Sequence, residues 1–184
     1  MDTSAAIETL RLSLTGFRPT DLNGLAAIFA DRDTARMTHA VPHPFSEGDA
    51  VSRLARMMQA PDAHWAIRTG DETLIGTISL TRGGMCRESG GQAADLHTFG
   101  PNLSVFIAPE HQRQGYATEA IDGLLRRIKK RKAHKVIHAA HFADNLASAR
   151  LLVHADFLYT GRRTMETSLA REGAHQALHM IRLL

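Results

Sequence analysis

The residues with the clearest chemical content are Gln112-Arg113-Gln114-Gly115-Tyr116-Ala117-Thr118, set between two patterns of different period. Upstream, Asn102-Leu-Ser-Val-Phe-Ile107 is the β-branched and aromatic run of a strand, and Pro109, with no N–H to give a ladder, ends it. Downstream, Ala120, Ile121, Leu124, Leu125 and Ile128 recur on one helical face. A glycine in the turn lets the backbone approach a ligand closely. The first N–H groups of the helix have no internal partner and lie at the positive end of its dipole. A strand–turn–helix junction of this kind is an anion cradle suited to phosphate, and Arg113 adds a fixed positive charge beside it. The stretch lacks the Gly-Lys-Ser/Thr ending of a P-loop, and it has one glycine where the dinucleotide fingerprint needs three.

Other elements must hold that junction in place. Residues 10–14 alternate as a half-buried strand. Asp21 suits the N-cap of a helix carrying Leu22, Leu25, Ile28 and Phe29. Residues 31–45 are polar, contain Pro42 and Pro44, and read as a loop. Ser46-Glu-Gly-Asp49 is a capping box with Asp in the Glu place, opening a second helix through Val51, Leu54 and Met58 that Pro61 ends. Residues 64–67 and 73–80 read as strands of a hairpin turning at Asp71-Glu72. The glycine-rich, polar stretch 82–101 reads as a surface excursion of the kind that often carries function. Residues 135–142 form a strand, and Asp144-Asn145 opens a helix with Ala147, Leu151 and Leu152 on one side. A short strand follows at 157–160, a turn or hairpin tip at 161–173, and a final strand at 177–183.

The 184 residues contain no repeat or linker, so the chain reads as one α/β (α+β) domain spanning 1–184, long enough to bury about 70% of its surface. The single cysteine, Cys86, excludes an intramolecular disulfide. No leader pattern and no run near the ~20 apolar residues of a membrane span are present, so a cytoplasmic protein with no membrane partner is expected. A formal charge of +3 fits an anionic cofactor and falls short of a nucleic-acid signature. Metal spacing is absent too: Pro42 separates His39 from His43, and His138 and His141 fall on opposite faces of one strand. The run Arg126 to Lys132 reads first as the solvated, cationic end of its helix.

The motif Gln112-Arg113-Gln114-Gly115-Tyr116-Ala117 resembles the pyrophosphate-binding pattern Gln/Arg-x-x-Gly-x-Gly/Ala of the GNAT acetyltransferases. Its continuation, Gly-Tyr-Ala-Thr-Glu-Ala, is similar to the RimJ/RimL-type branch, whose members acetylate protein α-amino groups and small amines. A second match is Asn145-x-x-Ser148, followed by Ala155-Asp156-Phe157 where that branch commonly has Gly-Phe. Asp156 departs from the glycine, but Asp enters the left-handed region more readily than most residues. The order of elements also matches, so the resemblance spans nearly the whole chain. It implies the GNAT fold: a central mixed, mostly antiparallel sheet of about seven strands flanked by about four helices.

The resemblance further implies acetyl-CoA as co-substrate, no metal, and an amine acceptor that is either a peptide N-terminus or a small molecule. It implies a monomer or homodimer with no nucleic-acid partner. Carried onto this sequence, two strands splay and the backbone of Val105, Phe106 and Ile107 holds the pantetheine arm. Amides of Gln112, Arg113, Gln114, Gly115, Tyr116, Ala117 and Thr118 hold the pyrophosphate, with Asn145 and Ser148 beside the pantetheine. Asn145 equally suits a helix N-cap, and its side chain has sites for both roles.

Acid–base groups are scarce. The tyrosine that often protonates the leaving thiolate in such enzymes corresponds to Leu152, and a frequent strand glutamate corresponds to Asn102. The candidate catalytic residues are therefore Asn102, Ser104 and His141, with Asp95 and His97 in the excursion and Tyr159 as further groups; each also suits a structural or solvent-facing role. An α-amine, with a pKa of about 7.7–8.0, is neutral roughly a tenth of the time at pH 7, whereas a lysine-type amine is neutral less than about 0.1% of the time. An α-amino acceptor needs little help from a base, and a polyamine needs much more. A non-catalytic CoA-binding module of the same fold is the alternative reading, and a nucleic-acid binder using the basic helix is disfavoured by an aromatic content of 5%.

Overall fold

The computed structural model describes residues 6–81 and 100–184. In these, eight strands form one sheet in the order β1-β2-β3-β4-β5-β6-β8-β7. They are β1 (Ile7–Glu8), β2 (Leu12–Thr15), β3 (His64–Thr69), β4 (Leu74–Thr81), β5 (Asn102–Ile107), β6 (Val136–Phe142), β7 (Leu158–Ser168) and β8 (Arg171–Leu183). Every pairing is antiparallel except β5 with β6. The helices are α1 (Leu22–Ala30), α2 (Arg32–Arg36), α3 (Glu47–Gln59), α4 (Tyr116–Arg131) and α5 (Leu146–His154). Among the described residues, no helix is long and apolar enough to cross a membrane.

The sheet carries an apolar layer on each face. On one, Ile67, Ile78 and Leu103 meet Ile121 and Leu124 of α4 and Leu152 of α5. On the other, Leu25, Ile28 and Phe29 of α1 pack with Leu54 and Met57 of α3. Strand alternation divides β5 accordingly: Leu103, Val105 and Ile107 turn toward α4, and Phe106 turns toward α1.

The structure corrects several boundaries. The strand read at 10–14 begins only at Leu12, as β2, and is preceded by β1 across a turn in which the Thr9 hydroxyl accepts from the Leu12 N–H at 3.0 Å. That turn lies so close to α4 that a Cβ on Gly123 would meet the Thr9 methyl at 2.6 Å. The stretch read as loop 31–45 contains α2, capped by Asp31 accepting from the Thr34 N–H at 2.7 Å. Residues 161–173, read as a turn, belong to a long hairpin whose tip is only Leu169 and Ala170. These strands look polar because β7 is the exposed sheet edge, where no helix demands apolar residues.

Asp21 stands at the N-cap position of α1, but its carboxylate accepts from the Arg18 N–H and binds Arg68 instead of capping. Ser46 and Asp49 form the expected reciprocal box. Asp156 takes the left-handed conformation, φ +56°.

Candidate active site

β5 and β6 part almost as soon as they meet. Their ladder contains a single pairing, Asn102 with His138, and the His138 N–H donates to the Pro101 carbonyl at 2.8 Å. On its other edge β5 stays paired with β4 as far as Ile107. The gap therefore opens toward the carboxyl end of β5. Alternation from Pro101 directs the backbone groups of Val105 and Ile107 into it and those of Phe106 toward β4. The Gln112 amide reaches back to the Ile107 carbonyl at 3.0 Å, which ties the turn to the strand.

The turn ends at Gly115, φ +82°, the N-cap of α4. Arg113 is also left-handed, φ +59°. Helices α2, α3 and α5 open with side-chain caps from Asp31, Ser46 and Asn145, whereas α4, like α1, opens with none. Its first-turn N–H groups, from Tyr116, Ala117 and Thr118, are thus presented to whatever fills the mouth of the gap.

Arg11 completes the cradle and was not legible in the motif. Its guanidinium donates to the Gln114 carbonyl at 3.0 Å and, through Nε, to Glu119 at 2.7 Å. It lies 4.6 Å from the Tyr116 ring centroid, and its Nη2 is the nearest atom to a Cβ built on Gly115, at 3.3 Å. Glu119 also accepts from the Thr9 hydroxyl and the Arg11 N–H, each at 2.7 Å. Burial pushes the Glu119 carboxyl up, but these bonds and the Arg11 charge outweigh it and hold it below its ordinary value. The stabilisation is therefore present above the unfolded carboxyl pKa of about 4.3 and is lost as pH falls through the lower folded value. Glu119→Ala is expected to weaken CoA binding about ten-fold at pH 7 and to lower the melting temperature by several degrees. Calorimetry with CoA and a thermal melt check both.

The sequence is matched over residues 11–158 by the family model for the acetyltransferase (GNAT) domain. The chain belongs to the GNAT acetyltransferase family. No curated protein matches the sequence. Among solved structures, a GNAT-family acetyltransferase from Bacillus anthracis superposes with a TM-score of 0.77 at 18% identity, covering 97% of this chain and 98% of the other. The ribosomal-protein-S5-alanine acetyltransferase of Vibrio fischeri gives 0.73 at 16%, covering 97% and 96%. The spermidine N-acetyltransferase of Vibrio cholerae, solved with CoA and spermine, gives 0.70 at 18%, covering 94% and 95%. The RimJ/RimL resemblance and the GNAT fold stand, with eight strands and five α-helices among the described residues in place of about seven and four.

In this GNAT chain the three candidate catalytic residues are not brought to one side. Asn102 is buried at the closed end of the gap, and Ser104 lies on the α1 face, opposite Ser79 of β4. His141 shares its strand face with Ile137 and Ala139, on the α4 side. It is 2% exposed, not at the solvent edge. Its Nδ1 lies 2.8 Å from the Phe142 carbonyl and must carry a proton, so in the neutral ring Nε2 accepts from the Tyr159 hydroxyl at 3.0 Å. Leu152 is core hydrocarbon with no proton to give. Asn145 caps α5, accepting from the Ser148 N–H at 3.0 Å through Oδ1, which leaves its amide NH2 for a second role. Asp95 and His97 lie outside the described residues. Among the described residues no cluster of ligating side chains suits a metal ion.

Two further histidines face the α1 and α3 side. Burial, then the Arg53 charge, lowers the pKa of His39; burial, Arg53 and Arg56 lower that of His64. Both resist protonation in the folded state, so the unfolded chain binds more protons below its histidine pKa of about 6.5, and stability falls as pH drops through that value. The melting temperature is expected to decline between about pH 6.5 and 5, and the double variant His39→Gln/His64→Gln should flatten that slope.

Proposed function

We propose that this protein transfers an acetyl group from acetyl-CoA to a primary amine by direct attack. What carries the reading is the uncapped N-terminus of α4 at the mouth of a gap held by one ladder pairing. The pyrophosphate is cradled by the amides from Gln112 to Thr118, under Arg11. The pantetheine pairs with Val105 and Ile107 and passes Asn145 and Ser148. The thioester then lies in the gap, where the Ile107 N–H polarises its carbonyl.

Most of the rate comes from holding amine and thioester together. The amine nitrogen bonds to the acetyl carbon, the carbon–sulfur bond breaks, and the thiolate takes up the proton the amine releases, giving CoA thiol and an amide. Tyr159 and His141, hydrogen-bonded to each other on the α4 face, relay that proton in this reading, and Ser104 orients the amine from the other face.

The test is titration of acetyl-CoA against dephospho-CoA and ATP by calorimetry, then thiol release with peptides and small amines. Selective acetyl-CoA binding with turnover supports the reading, and no binding at millimolar ligand rejects it. Leu152 and Asn102, which replace the usual acid and base, favour one rival, a CoA-binding module without catalysis. Acetyl-CoA binding with no amine acetylated would establish that rival.

A further inference from the structure

In the acetyltransferase reading the cofactor takes the α4 side of the gap, which leaves the α1 side for the acceptor. That side contains a half-buried cation, Arg53. Phe106 of β5 meets Phe29 of α1 edge-on, with ring centroids 5.0 Å apart. The Arg53 guanidinium of α3 lies 4.5 Å from the Phe29 centroid, and its Nη2 donates to the Ala40 carbonyl at 2.8 Å. The same backbone segment is held from the other side by the β7–β8 tip. The Ser168 hydroxyl donates to the Thr38 carbonyl at 2.7 Å, and the Leu169 N–H to the His39 carbonyl at 3.3 Å. Arg53 thus stands behind a rim built from two parts of the chain, with Phe29 between it and Phe106 of β5.

Among the described residues its charge is offset only in part, by Asp49. Nε of Arg53 and Nδ1 of neighbouring His64 are buried without a hydrogen-bond partner among the described residues. Burial, then the charge of Arg56, pushes the Arg53 pKa down to about 10, with Asp49 opposing in part. Among the described residues, three carboxylates of this side are engaged elsewhere. Asp49 accepts from the Ser46 hydroxyl at 2.6 Å, Asp144 is 2.7 Å from Arg171 and 3.7 Å from Arg36, and Asp21 is paired with Arg68. Glu166 lies on the same face of β7 as Thr164, half-buried toward the hairpin tip. The histidines facing Arg53, His39 and His64, are neutral near pH 7 and supply no counter-charge.

We propose, building on the acetyltransferase reading above, that the acceptor is an amine bearing a carboxylate, which Arg53 holds while the amine points into the gap. A partly desolvated guanidinium binds a carboxylate through short, charge-assisted bonds. A polyamine would instead bring like charge beside the same partly desolvated guanidinium.

The experiment offers short amines in pairs, each as the carboxylate and as its carboxamide, with spermidine as the cationic member. Thiol release is followed, and acetyl-CoA affinity is measured by calorimetry in the same samples. Carboxylates are expected to exceed their carboxamides by roughly ten-fold or more in kcat/KM. Arg53→Gln should bring that ratio close to one with acetyl-CoA still bound, and Arg53→Lys should restore part of it. Equal turnover of carboxamides, or of spermidine, overturns the assignment. So does an equal loss on both members of a pair in Arg53→Gln, which would reduce Arg53 to a packing role over Phe29. Failure to bind acetyl-CoA would instead remove the acetyltransferase reading, and this proposal with it.

Discussion

Gly115→Glu is expected to weaken CoA binding by at least about a hundred-fold while the protein still folds. Three effects combine at this position. Gly115 is left-handed at φ +82°, which costs an L-residue roughly 1–2 kcal/mol. A Cβ there lies 3.3 Å from Arg11 Nη2, so the clamp must shift. The added carboxylate also sits where the first-turn N–H groups of α4 converge, close to the position proposed for the pyrophosphate charges. Two like charges about 5 Å apart repel by roughly 3 kcal/mol at an effective dielectric near 20, which alone supplies the hundred-fold. Gly115→Ala separates the causes: it carries the strain without the charge, and it should lose stability similarly but much less affinity. Calorimetry with CoA and a denaturant titration on both variants give the comparison. CoA affinity in Gly115→Glu equal to that of the parent would sink the assignment of the cradle.

The comparison of these two neighbours, Gly115 and Arg11, shows what the sequence could and could not disclose. Gly115 was legible because it marks the change from a period of two to a period of 3.6, and because local backbone geometry decides its role. Arg11 is 104 positions away and reads only as the polar residue of an alternating strand. Its place over the turn depends on the close approach of Thr9 to Gly123, a tertiary packing event with no local signature. The same division holds elsewhere. The Ser46–Asp49 box and the left-handed Asp156 follow from local chemistry and were anticipated. The extent of the β7–β8 hairpin was not, because an exposed edge strand is free of the apolar alternation that announces a buried one. His141 was picked out by residue type, but its burial and its bond to Tyr159 depend on pairing between β6 and the distant β8, and on a shift of register in β7. Phe106 was assigned to the cofactor by analogy. The pairing of β5 with β4 turns its backbone away from the gap and leaves its ring facing α1.

Arg68→Met is expected to be the most destabilising of these substitutions, at about 3–5 kcal/mol. Arg68 and Asp21 are 3% and 4% exposed, and Nη2 bridges both carboxylate oxygens at 2.8 and 2.7 Å. Nε donates to the Thr15 hydroxyl at 2.9 Å, and the Arg18 N–H completes the carboxylate at 2.7 Å. Removing the guanidinium leaves a buried carboxylate with its charge unpaired, and that, not the lost attraction, sets the magnitude. Removing both partners should therefore cost less than removing one. The double variant Asp21→Leu/Arg68→Met is expected to recover most of the loss, and equilibrium denaturation of both single variants and the double closes the cycle. If the single and double variants are equally destabilised, the pair is not the buried unit described. Function enters through position. Asp21 ends the 3-10 turn Pro19–Asp21, from which α1 begins, and α1 carries the Phe29 that stands between Phe106 and Arg53. Loss of the pair should accordingly disturb the acceptor side before the cradle: KM for the amine should rise at temperatures where acetyl-CoA affinity is still that of the parent.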